Sequence, residues 1–90
     1  MDYEALGIYT EAVEQFEKCK YKRQYAIEDT VYYLQKILDD DITGANLQEI
    51  FSKTRLFEFD RKVRFWRKRA NSVCERCERT KIKINSAIDK

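Results

Sequence analysis

No proline occurs anywhere in these 90 residues, and glycine occurs only twice, at Gly7 and Gly44. Proline and glycine are the residues that most strongly end helices and shape the turns of β folds. A chain almost without them is constrained to a few long helices joined by short breaks. At 43% hydrophobic it carries enough Tyr, Phe, Leu and Ile for a core, and its 38% charged fraction keeps the surface wet, so global disorder is not expected. A domain this small buries only about 60 to 65% of its unfolded surface, which makes a second copy a reasonable source of extra burial.

The apolar periodicity predicts four helical segments within one domain, residues 1–90. In the first, about Tyr3 to Lys20, Leu6, Tyr9, Val13 and Phe16 follow at steps of three and four, beside Ala5, Ala12 and Cys19 at steps of seven. That is one apolar face. The second, about Arg23 to Leu38, carries Ile27, Val31, Leu34 and Leu38 with Ala26, Thr30, Tyr33 and Ile37 beside them, two apolar sides on one helix. A turn near Tyr21 is expected between them, giving an acidic helical hairpin over about 3–38. One unbroken rod of about 54 Å would leave those apolar sides uncovered. Asp39, Asp40 and Asp41 oppose the macrodipole of a helix C-terminus and mark a loop over 39–44.

A short helix, about 45–51, then offers Leu47, Ile50 and Phe51 to the core. Beyond it a stripe of Val63, Trp66, Ala70, Val73, Cys77, Thr80, Ile84 and Ala87 alternates at three and four, extended backward by Phe59 and Leu56. This predicts a long basic helix over about 56–87. Lys81-Ile82-Lys83-Ile84 alternates at period two, yet no comparable strand exists to pair with it, so it is read as the last helical turns. The expected fold is all-α: a small bundle of three to four helices in antiparallel packing, with a long C-terminal helix. That helix, near 48 Å, overhangs partners of about 25 Å, and the overhang predicts a dimer.

Charge is divided unevenly along the chain. Residues 1–51 hold 5 Lys/Arg against 11 Asp/Glu, a net of −6, and residues 52–90 hold 13 against 5, a net of +8. On the long helix Arg61, Arg64, Lys68, Arg69, Arg76, Arg79 and Lys83 fall away from the apolar stripe with Phe65 among them, and Phe57 and Ile82 also point off it. Such a face suits an anionic macromolecule, with guanidinium groups on phosphates and Phe65 against a base. The expected function is therefore a non-catalytic binding module for nucleic acid or a nucleoprotein. A helix-turn-helix entering a major groove is a sharper form of this, weakened by the missing turn glycine.

The alternative is a protein–protein adaptor or inhibitor, a regulatory accessory protein, binding through the Arg/Phe stripe or the acidic Tyr-rich half with Tyr3, Tyr21, Tyr25, Tyr32 and Tyr33. A plainer reading has the two charged halves merely complementing each other inside the bundle. Catalysis is not expected, because the chain has no His, no phosphate-cradling glycine loop and no nucleophile with a recognisable base. Cys74 and Cys77 match C-x2-C, but zinc needs four ligands and only Cys19 could add a third. They read as small buried side chains, and no metal, cofactor or small-molecule substrate is expected. An odd cysteine count argues against a disulfide framework. With no apolar run of about 18 residues and no basic N-terminal region, a cytoplasmic location without membrane insertion is expected.

Overall fold

The computed structural model describes residues 1–39 and 47–83, with the backbone alone described at 47 and 48. Regular structure in these residues is entirely helical: α1 (Tyr3–Leu38), α2 (Leu47–Thr54) and α3 (Leu56–Val73). The loop expected over 39–44 and the start of the helix expected at 45 lie outside the described residues.

α1 is one helix of 36 residues with no turn near Tyr21. Asp2 starts it, its carboxylate accepting from the Ala5 N–H at 3.1 Å, and beyond Gly7, carried within the first two turns, no glycine or proline interrupts it before Leu38. The expected hairpin over 3–38 is therefore replaced by the single rod, about 54 Å long. Its length is tolerated because the other described residues lie along it. Thr30 faces Thr54, the hydroxyls 3.2 Å apart; Arg23 meets Asp60 at 2.9 Å; Tyr9 donates to the Thr80 carbonyl at 2.7 Å; and the Asp2 N–H donates to the Arg76 carbonyl at 3.2 Å. From Asp2 and Arg76 through Arg23 and Asp60 to Thr30 and Thr54 the partner numbers fall as those of α1 rise, whereas the segment at 79–83 doubles back, with Thr80 at Tyr9 and Ile82 at Phe16.

The seam is built from small residues. Ala5, Ala12, Cys19 and Ala26 stand seven apart on α1, and Val63, Ala70 and Cys77 stand seven apart opposite; all are buried. A seven-residue repeat of small side chains holds two helices close along a shared line. Phe16, Cys19 and Val63 form one cluster with Trp66 and Ile82 against it, and Ala5, Val73 and Cys77 form another with Leu6, Ile8 and Tyr9. The centre of the α1 face is thus the Ala/Cys ladder, and Leu6 and Tyr9 flank it.

α2 and α3 are separated by a single residue, Arg55, in left-handed conformation at φ 59°. Its guanidinium clasps Glu58 through Nε at 2.6 Å and Nη2 at 2.9 Å and lies over the Phe59 ring. α3 then runs 18 residues, not the 32 expected, and α1 is the longest helix. The stop is a left-handed Glu78 at φ 58°. Arg79 N–H bonds the Cys74 carbonyl at 2.8 Å and Glu78 N–H bonds the Glu75 carbonyl at 3.2 Å, the paired bonds of a Schellman turn. Ordinarily glycine takes that position. Here contacts to α1 hold it, among them Arg76 Nη2 to Asp2 Oδ2 at 2.6 Å.

Two corrections follow. Cys77 remains on the buried stripe but Thr80 is exposed, and Ile84 and Ala87 lie outside the described residues. The overhang of a long C-terminal helix, which motivated a dimer, does not exist in that form. α1 is the helix with uncovered surface: Val31 is 49% exposed, Leu38 81%, and Tyr21, Tyr25 and Tyr32 are also exposed.

Candidate anion-binding groove

After the Schellman turn the chain at 79–83 is neither helix nor strand. It runs beside α3, and one side chain fixes it there. Asn71 accepts from the Ile82 N–H at 2.7 Å and donates to the Ile82 carbonyl at 3.0 Å. An amide carries an acceptor and a donor side by side, so Asn71 supplies the two bonds that a neighbouring strand would give. Ile82 turns inward onto the Phe16, Cys19 and Val63 cluster. With period-two alternation, Lys81 and Lys83 turn outward, and both are exposed.

Between this segment and α3 lies a groove of about 530 Å³, lined by Arg64, Arg67 and Lys68 from one side and Lys81 and Lys83 from the other, with Asn71 and Ile82 between them. Five of its lining residues are cationic and none is acidic. Arg64 is already paired, its Nε 2.9 Å from Asp60 Oδ2. Asp60 also holds the buried Arg23 at 2.9 Å, so one carboxylate serves two guanidiniums.

The eight residues singled out by sequence are divided by the turn at 74–78. Arg64, Lys68 and Lys83 come together in the groove. Arg61, Phe65 and Arg69 lie exposed on α3 at four-residue steps, and Phe65, 56% exposed, meets the Trp66 ring edge-on at 4.9 Å. Arg76 lies in the turn and is committed to Asp2. Arg79 lies beyond it, exposed. These residues do not form one face of one rod, because the helix that was to align them ends at Val73.

Sequence reasoning missed Arg67, Lys81 and Asn71. Arg67 directly follows Trp66 of the apolar stripe and so reads from sequence as a border residue. The period-two pattern was the available signal for Lys81 and Lys83. Nothing in the sequence marks Asn71 as the latch. Among the described residues no three Cys, Asp or Glu side chains gather as metal ligands, and Cys19, Cys74 and Cys77 are buried free thiols. No described helix is long and apolar enough to cross a membrane.

Two carboxylates that hold the scaffold are displaced from their ordinary acidity. The Ala5 N–H, and then the Arg76 guanidinium, keep Asp2 below its usual 3.8. Arg55 holds Glu58 down from 4.5 to about 2. Lowered values mean that both contributions are complete above the ordinary carboxylate range and lost as acid protonates the folded form. Thermal melting followed by circular dichroism is therefore expected to be flat from about pH 7 to 5 and to fall between about 4.5 and 2. Asp2→Asn with Glu58→Gln should flatten that acid limb.

No protein family matches the chain, and neither a curated protein nor a solved structure does.

Proposed function

We propose that this chain is a non-catalytic helical module, with α3 returning antiparallel along α1, that binds nucleic acid through its phosphates. The observation that carries this reading is the groove in which Arg64, Arg67, Lys68, Lys81 and Lys83 converge without a lining carboxylate. Clustered Lys and Arg displace condensed counterions from a phosphate chain, and arginine adds bidentate contacts. Arg61 and Arg69 extend the positive surface along α3 on either side of Phe65, which is placed to stack on an unpaired base. None of the groove's lining residues belongs to the acidic half of the sequence.

The test is a fluorescence-anisotropy titration of a labelled mixed-sequence oligonucleotide, single-stranded and duplex, across about 50 to 200 mM salt. Affinity should fall steeply with salt. Lys81→Ala with Lys83→Ala removes two phosphate contacts, so the log–log slope should become shallower by about 1.8, with affinity at low salt about 10-fold weaker. No binding at the lowest salt, or a slope unchanged by that pair, would reject the reading. A protein partner is the second reading, favoured by Tyr21 and Tyr25. Both are exposed, with rings edge-on at 4.9 Å and hydroxyls 2.9 Å apart, a rigid amphipathic surface of the kind that interfaces use.

A further inference from the structure

We propose that a second copy of this chain covers the open side of the distal half of α1, forming a two-fold dimer independent of the basic groove. The molecule is 58 Å long and 19 by 15 Å in cross-section, with a radius of gyration of 17.0 Å, where a compact chain of this length would have about 12 Å. A pair of helices buries one stripe on each. α1 has two apolar stripes in its distal half, as its sequence demands. Ala26 and Thr30 are buried, whereas Ile27, Val31, Leu34 and Leu38 lie roughly 90° further round.

That second stripe is open: Val31 is 49% exposed, Leu34 37% and Leu38 81%. It continues across to α3, where Ile27, Leu56 and Phe57 line an apolar groove of about 230 Å³, closed at its far end by the Arg23–Asp60 pair. Phe57 itself is 59% exposed.

Three features select a copy of the same chain over a foreign partner. The spacing of Ile27, Val31, Leu34 and Leu38 is four, three, four, which reads the same in both directions. Two antiparallel copies centred between Tyr32 and Tyr33 place Ile27 against Leu38 and Val31 against Leu34, an isologous contact in heptad register. Gln24, Glu28 and Gln35 flank the open edge, and in that register Glu28 stands nearest Gln35 of the partner subunit, so no like charges meet along the ridge. A standard interface takes about 800 Å² from each partner, roughly an eighth of this chain's 6690 Å². The ridge and the Leu56/Phe57 groove adjoin through Ile27 and form the apolar centre of such a patch.

The experiment is sedimentation equilibrium of the whole chain from about 1 to 200 µM, beside Val31→Glu with Leu34→Glu. The expected result is a dimer of the 10.9 kDa chain, with the double variant weakened at least about 100-fold, since each glutamate would be buried without a counterion. Both sites are exposed in the single chain, so circular dichroism should show the variant's helicity retained. A monomer at every concentration would overturn the proposal and leave the stripe to a foreign partner or another part of the chain. A dimer that survives both glutamates would overturn it as well, since another face would then hold the copies together. Loss of helicity in the variant at concentrations where the native chain is dimeric would support the same contact, because folding would then depend on it.

Discussion

Asp60→Ala should destabilise the protein by about 3 kcal/mol, toward the upper end for a single substitution. Arg23 projects from α1 into the seam with only 6% of its side chain exposed, and Asp60, 24% exposed, is the carboxylate bonded to it. A guanidinium cannot shed its proton when its counterion is removed, so the variant must keep a buried cation or expose it by parting the helices. Asp60 is not fully dry, which places the cost at the lower edge of the range for broken buried pairs. For a domain whose total stability is about 5 to 15 kcal/mol, the melting temperature should fall by about 15 °C. Arg23→Met should cost much less, about 1 kcal/mol, because it leaves Asp60 with Arg64 and fills the space with an apolar chain. Combining the two should be milder than Asp60→Ala alone. If Arg23→Met is as damaging as Asp60→Ala, the buried charge is not the cause.

The helical character and the seven-residue ladder are legible in the sequence because they depend on repeated local choices. Ala5, Ala12, Cys19 and Ala26 recur at one interval, and Val63, Ala70 and Cys77 recur at the same one. Each interval is a packing contact. The breaks are not legible for a complementary reason. Arg55 and Glu78 adopt left-handed backbone without being glycine or asparagine, so the usual marker is absent and tertiary contacts impose the conformation. Asp2, 74 residues from Arg76, supplies one of those contacts, and no local rule can see it.

The missing turn near Tyr21 has a different origin. Folding does not require both apolar sides of α1 to be covered. α2, α3 and the segment at 79–83 cover one side along its length, and the other stays open within the single chain. Lopsided charge pointed toward a cationic surface, but alignment on a single rod depended on α3 continuing past Val73. With α3 ending there, the segment at 79–83 brings Lys81 and Lys83 alongside Arg64, Arg67 and Lys68, and the turn takes Arg76 and Arg79 elsewhere.

Asn71→Ala should show how that segment is held. The substitution deletes both hydrogen bonds to Ile82, for about 2 kcal/mol, and frees the inward-facing isoleucine from the Phe16 and Val63 cluster. Lys81 and Lys83 flank Ile82 directly, so they lose their fixed place beside α3. Oligonucleotide binding should then weaken about 10-fold at low salt, although no charge has been changed. The decisive comparison is a cycle with Lys81→Ala and Lys83→Ala. If Asn71 acts only by placing those two lysines, the triple variant should bind no worse than the lysine pair alone, a non-additivity expected of residues that work as a unit. Additive losses would instead mean that Asn71 contacts the nucleic acid itself. Asn71→Asp separates the roles further: its carboxylate can still accept the Ile82 N–H but cannot donate to the carbonyl, and it adds a negative charge to a groove lined by cations. Binding to that variant should be weaker than to Asn71→Ala, while its melting temperature should be higher.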